Sequence, residues 1–154
     1  MKQSISYLLS INIIFCLFSC EDDKNYNFKD QELQGLFNNK EWSYEGGKAK
    51  KDSMIYQMEI HGTVPDSINI CDTMIISKQL LVTVPREKGV FELSPSRSVT
   101  FSYKSGDNYD NIAATKGAVE ILSISKNSIK GRIDAKADSD HKINGNFTIP
   151  ICTP

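Results

Sequence analysis

The four cysteines are the residues of this chain best suited to covalent chemistry, because a thiol can be acylated, oxidised to a disulfide or bound to a metal. They are Cys16, Cys20, Cys71 and Cys152. Their separations give no CxxC pair and no cysteine–histidine cluster of the kind that holds zinc. Acylation and disulfide formation are therefore the two roles to consider for these thiols.

Other groups that commonly carry catalysis lack their usual arrangement. His61 and His141 are the only histidines, and neither belongs to an HExxH motif, so both are predicted at surface or turn positions. The sequence contains no GxSxG elbow and no phosphate-binding glycine loop. The oxygen-rich stretch 107–111 lacks the glycine and distal glutamate of an EF-hand and is predicted to be a solvated loop. We therefore predict no enzyme activity, no metal site and no cofactor.

The N-terminal residues have the layout of an export signal. Lys2 precedes a mostly apolar run over 5–18, which is shorter than the roughly 20 residues of a spanning helix. The run ends in Leu-Phe-Ser-Cys, which resembles the bacterial lipobox, although Phe18 is larger than the motif usually has before its small residue. The resemblance implies that 1–19 is a lipoprotein signal peptide and that Cys20 becomes the lipidated first residue. The alternative is an ordinary signal peptide with a chance cysteine, or a buried core segment.

A lipidated Cys20 would place the protein at a membrane, since two or three acyl chains hold a protein stably where a single chain does so only marginally. The acidic residues 21–23 resemble the export signal that carries some Gram-negative lipoproteins to the outer face of the outer membrane. We interpret 20–33 as the lipidated cysteine and a flexible acidic tether. The predicted location is the outer membrane, with the protein facing the periplasm or exposed at the cell surface.

The remaining two cysteines are predicted to form a disulfide. Cys16 leaves with the leader and Cys20 carries the lipid, which leaves Cys71 and Cys152 in an oxidising compartment. Closing so long a loop stabilises the fold by about 4 kcal/mol in the loop-entropy model. Two unpaired buried thiols are the alternative.

Periodic hydrophobicity after the tether predicts strands. Apolar or small residues alternate with charged ones over 129–137, and after a turn the alternation resumes over 143–151. The stretch 117–124 predicts a third strand before them, which makes a C-terminal β-meander. Shorter alternating runs lie upstream, and 29–36 is predicted to form at most one or two helical turns.

These patterns predict one all-β domain over 34–154, an antiparallel β-sandwich or small barrel, with a lipocalin-like barrel as the alternative. An Asn38-Asn39 turn is predicted between two apolar pieces, with Trp42 sealing one end of the core. The formal net charge is −1 without a block of either sign, so the sequence gives no electrostatic reason to expect nucleic acid as a partner.

Three stretches together resemble a small all-β domain of uncharacterised bacterial lipoproteins. They are GLFNNKEWSYEGGKAK, GVFELS and the long segment from ATKGAVEIL to NFTIPIC, and the resemblance covers roughly residues 33–152. The shared features are an asparagine turn before a tryptophan, a Gly-x-Val-x-Ile strand and a closing hairpin. The resemblance implies the fold and the envelope location, and it brings no catalytic residues.

Two features bear on modification and binding. Ser53, Ser67 and Thr73 each lie in an Asp-Ser/Thr-aliphatic tripeptide that resembles the O-glycosylation site of some Gram-negative exported proteins, although Asp-Ser is also common in turns. An aromatic binding face is a second hypothesis, against the alternative that these side chains fill the core or a sheet edge; its members are Trp42, Tyr44, Tyr56, Tyr103 and Tyr109.

The sequence therefore predicts a lipid-anchored cell-envelope protein that serves as a binding or structural module, with an envelope protein or a glycan as partner. The alternative function is a lipocalin-like carrier of a small apolar ligand, which requires an internal cavity.

Overall fold

The computed structural model describes residues 26–66 and 68–153. Over these residues the protein is all-β, with eleven strands and no helix, which confirms the predicted fold class. Within the same ranges, no helix is long and apolar enough to cross a membrane. The predicted signal peptide, Cys20 and Ser67 lie outside the described residues.

The longest strands lie toward the C-terminal end of the chain. The strands are β1 (Gln34–Phe37), β2 (Lys40–Ser43), β3 (Gly46–Asp52), β4 (Ile55–His61), β5 (Gln79–Pro85), β6 (Gly89–Glu92), β7 (Ser98–Ser105), β8 (Asn108–Ala113), β9 (Lys116–Ile124), β10 (Ser128–Lys136) and β11 (Lys142–Cys152).

The strands form one curled, open sheet with two halves. The first half has the order β6, β9, β10, β11, β1, β2, and the second half has the order β3, β4, β5, β7, β8. Pairing is antiparallel within each half. The predicted meander is present as β9, β10 and β11. The path through the sheet ends at β6 and β8, so the barrel is only half closed.

Strand β11 joins the two halves. One of its edges pairs with β10 along most of its length, and the start of its other edge pairs with β1. The end of β11 runs parallel to β3, where Ile151 lies opposite Ala49 and Cys152 lies opposite Lys50. A strand of this length extends about 36 Å, which is enough to reach both halves.

The β1–β2 hairpin follows from its two central asparagines. Asn38 and Asn39 both have φ of 55°, the left-handed conformation that a two-residue hairpin turn requires and that asparagine tolerates better than most residues. The turn directs Phe37 into the core. The helical turns predicted over 29–36 are absent, because this segment contributes β1 instead.

The packed domain begins before the predicted boundary at residue 34. Leu33 is fully buried, and its N–H donates to the Asn146 carbonyl at 2.9 Å. Residues 27–32, which we call the N-terminal strap, lie along β11 and bond to Asn144 and Asn146. The prediction of a flexible tether up to residue 33 is therefore wrong for the strap, because the outward-facing asparagines of β11 hold it.

A single cluster of buried side chains fills the space between the two halves. Each large apolar side chain removed from water contributes about 1.5–3 kcal/mol. Fully buried members from both halves include Phe37, Leu80, Phe101, Ile121, Ile133 and Ile149. This filled core gives no support to the lipocalin-like alternative, which requires an internal cavity at the same place.

Candidate functional site

Cys71 and Cys152 form the predicted disulfide, with Cα atoms 5.4 Å apart. Cys152 is the last residue of β11, whereas Cys71 lies in the segment 62–78 between β4 and β5, which we call the covering loop. The disulfide therefore fastens the covering loop to the end of the strand that joins the two halves of the sheet.

Polar side chains lie beneath the covering loop on the outer face of β3 and β4. Lys48 is 5% exposed, and its Nζ donates to the Thr73 carbonyl at 2.9 Å. The same Nζ lies 3.3 Å from Glu59 Oε2. The carbonyl and the carboxylate supply the compensation that a buried ammonium needs.

His61 completes this cluster and is fully buried, which shows that its predicted surface position is wrong. Its Nδ1 lies 3.1 Å from Ser77 Oγ, and its Nε2 lies 3.9 Å from Glu59 Oε2. Nε2 has no hydrogen-bond partner among the described residues. Burial lowers the pKa of His61, opposed by the Glu59 carboxylate and reinforced by Lys48. The covering loop encloses the His61 imidazole, so this ring does not face a substrate cleft.

His141 lies in the predicted turn, between β10 and β11, but its side chain is buried and does not lie at the surface. Its Nδ1 lies 3.0 Å from one oxygen of Asp138, and this hydrogen bond is the main cause that lowers the pKa of Asp138. The ring lies 6.0 Å from the nearly parallel ring of Tyr103 and meets Phe101 edge to face. These contacts assign His141 to the packing at one end of the core.

The predicted glycosylation sites differ in accessibility. Ser53 is exposed in the turn between β3 and β4, and the following Met54 is 80% exposed. Thr73 is half-buried in the covering loop, although the next residue, Met74, is 84% exposed. Glycosylation of Ser53, Ser67 and Thr73 remains a prediction.

The predicted aromatic binding face is not assembled. Trp42, Tyr56 and Tyr103 are buried, and the Trp42 indole donates to the Lys78 carbonyl at 3.3 Å. The Tyr44 hydroxyl donates a hydrogen bond to the Thr148 carbonyl. Tyr109 alone of the five is largely exposed, on β8. The aromatic rings therefore stabilise the fold and do not offer a joint surface.

An open groove of about 670 Å³ crosses the outer face of β2, β1, β11 and β10. Its wall is the N-terminal strap, which contributes Lys29 and Gln31. The pairing of the strands arranges the outward side chains on the floor of the groove in two rows. The first row is Ser43, Gln34, Asn144 and Asp134, and the second is Glu41, Leu36, Lys142 and Lys136.

Two lysines of the second row lie directly opposite each other. Lys136 on β10 pairs in register with Lys142 on β11, and both side chains are exposed. Neither ammonium forms an ion pair with another described residue. Like charges at directly opposed positions destabilise a sheet, so this pair costs folding energy and leaves a local positive charge in the groove.

The strap is fixed rigidly enough to act as a wall. Asn144 accepts from the Lys29 N–H at 2.8 Å and donates to the Asn27 carbonyl at 2.8 Å. Phe28 stacks on the guanidinium of Arg132 at 4.7 Å, and the same guanidinium pairs with Glu120. Gly145 permits the close approach, because a Cβ there would meet the Glu32 carbonyl oxygen at 2.6 Å.

Sequence reasoning missed this groove. The outward-facing polar positions of β10 and β11 were visible in the alternation, yet only the register shows that Lys136 faces Lys142. Among the described residues, no group of three or more His, Cys, Asp or Glu side chains could hold a metal ion. Comparison of the chain with protein-family models, with curated proteins and with solved structures gives no match.

Proposed function

We propose that this protein is a lipid-anchored binding module of the bacterial cell envelope, and that its groove binds an acidic glycan. The lipid would be attached to Cys20, and the β domain would present the groove to the periplasm or the cell surface. The protein acts by binding and has no catalytic role.

The opposed pair of Lys136 and Lys142 is the observation that carries this proposal. A carboxylate or phosphate placed between the two ammonium groups would relieve their repulsion and form charge-assisted hydrogen bonds. The groove is open, as a site for an extended polymer must be. Amide, hydroxyl and carboxylate groups of Gln34, Ser43 and Asp134 line it and are suited to bind sugar hydroxyls.

The test is a titration of the lipidated protein in detergent with oligogalacturonate, using a neutral galacto-oligosaccharide of the same length as reference. We expect saturable calorimetric binding of the acidic sugar only, weakening as salt rises. Lys136→Ala and Lys142→Ala should each weaken binding about tenfold, the size of one charge-assisted hydrogen bond.

Lys130→Ala is the matched control, because Lys130 is exposed on the same strand and face as Lys136 and lies outside the groove. Its affinity should stay within about twofold of the unaltered protein. Equal binding of both sugars, or equal effects of Lys130→Ala and Lys136→Ala, would contradict the proposal. No binding of any acidic oligosaccharide would also contradict it.

A further inference from the structure

Strand β8 ends the second half of the sheet, and one of its edges is unpaired. It pairs with β7 alone, with Tyr103 opposite Asp110 and Phe101 opposite Ile112. The prediction of a solvated loop over 107–111 is wrong, because residues 108–111 belong to this strand. The tight turn at Gly106 and the alternation of Asp110 and Ile112 toward the core produce a strand instead.

The free edge offers regularly spaced backbone groups. In an antiparallel pair, alternate residues direct their N–H and C=O groups to the partner and the others direct them away. The two-residue turn bonds Ser105 to Asn108, so on β8 the outward set is Tyr109, Asn111 and Ala113. No other described strand pairs with them.

This edge lacks most of the features that usually protect an edge strand from association. Such edges commonly carry lysine, proline or a bulge. Strand β8 has no lysine and no proline, its pairing with β7 is regular, and Asp110 is its single charge. The Asp110 side chain is half-buried beside its register partner Tyr103, and this one inward-pointing charge leaves the outward backbone groups of β8 uncovered.

We propose that β8 is a dimerisation strand, at which a second copy of this chain adds antiparallel through the same edge. The two-fold axis passes through Asn111, so Asn111 of each copy lies opposite Asn111 of the other. Tyr109 then lies opposite Ala113, and all three outward residues of each copy donate and accept one hydrogen bond.

The side chains of β8 also fit a second copy of the same strand. In the symmetric register, each Asp110 lies opposite an apolar Ile112, and no like charges are directly opposed. The half-exposed Tyr109 ring covers the small Ala113 side chain of the other copy, which removes apolar surface from water. The second half of each sheet becomes one continuous sheet across the pair.

The register can be tested by cross-linking the full chain, produced with its own leader in a Gram-negative host. Asn111→Cys places two thiols on opposed residues, whose Cα atoms in such a pair are about 5.5 Å apart and within disulfide range. Ala113→Cys is the matched control, because its symmetry mate lies about 14 Å away, four residues along the strand.

Mild oxidation of the membranes should give a species of twice the mass with Asn111→Cys and none with Ala113→Cys. Peptide mapping confirms that Cys71–Cys152 is intact in both variants. Equal cross-linking of the two variants, or none with either, would overturn the proposal.

Charged substitutions at Asn111 test the proposed two-fold axis without introducing new thiols. Asn111 is exposed and forms no side-chain hydrogen bond with another described residue, so Asn111→Lys and Asn111→Glu should both fold. Two differently tagged copies should co-purify at least tenfold less when both carry Lys or both carry Glu. Co-purification should return when one copy carries Lys and the other Glu. Co-purification that is unchanged in all pairs, or that does not return in the mixed pair, would overturn the proposal.

Discussion

Both histidines of this protein are packing residues, and they are enclosed in different ways. His141 is surrounded by aromatic rings from distant strands, including Phe37 and Phe101, whereas the covering loop encloses His61 above Lys48 and Glu59. In neither case does the local sequence signal burial, because the enclosing residues are remote in the chain. The predicted surface or turn position is therefore wrong for His61, and for His141 it gives the turn correctly but misses the burial.

The burial of His61 predicts a stability that depends on pH. Its folded-state pKa lies below the ordinary value of 6.5, so as pH falls through 6.5 the unfolded chain binds a proton that the folded protein does not. The free energy of unfolding should therefore fall between about pH 7 and pH 5, with a slope from this one residue of at most about 1.4 kcal/mol per pH unit.

Urea unfolding of the full chain and of His61→Gln across this range measures the effect. Glutamine keeps a hydrogen-bonding group near Ser77 and cannot take up the proton. We expect a weaker loss of stability with falling pH in the variant. If the free energy of unfolding fell equally with pH in the two proteins, protonation of His61 would not be the cause of the pH dependence.

At the scale of elements, the covering loop is held by the disulfide together with hydrogen bonds from Trp42, Lys48 and His61. Met74 and Ile76 are strongly exposed in it, and Ile75 is its buried apolar side chain. Cys71→Ser should lower the free energy of unfolding by about 4 kcal/mol, because the unfolded chain is then no longer cross-linked between residues 71 and 152.

Hydrogen exchange should report the same change locally. Amides in 69–78 should exchange faster in Cys71→Ser through local opening of the covering loop, while protection in β10 should fall by no more than the loss of global stability. The double variant Cys71→Ser, Cys152→Ser is the control and should match the single variant. A loss well below 1 kcal/mol would mean that packing alone holds the loop.

A strand could be predicted from the sequence when one of its faces is exposed to water and the other is buried. Strands β10 and β11 have one wet and one buried face, so their alternation predicts them correctly. Strand β3 was missed because its outward Lys48 and inward Ala49 are both buried and its remaining residues are mainly glycine and lysine. The register of Lys136 against Lys142 was missed as well, since it depends on where the β10–β11 turn begins and ends, which the alternation alone does not fix.

At the scale of the whole molecule, the strap sets where the lipid anchor would join the domain. The chain from Cys20 to Tyr26 can span at most about 20 Å even when fully extended. The strap also forms the wall of the groove. A lipidated Cys20 would therefore hold the groove close to the membrane surface, within reach of surface polysaccharide.

Labelling with radioactive palmitate tests this anchor. The unaltered chain should incorporate label and sediment with membranes, and Cys20→Ala should lose both properties. Cys16→Ala is the matched control, because this cysteine lies in the predicted leader and should leave labelling unchanged. Undiminished label in Cys20→Ala would contradict lipidation at that residue.

The position of β11 also bears on how the protein is made. Strands β1, β3 and β10 all pair with it, so a polypeptide that leaves the ribosome N terminus first lacks its joining strand until β11 has been made. The edge of β1 that contains Gln34 stays unpaired until Asn144, more than a hundred residues later in the chain, has been made. The sheet is therefore completed only after β11 has been made, and the Cys71–Cys152 disulfide cannot form before Cys152 is present.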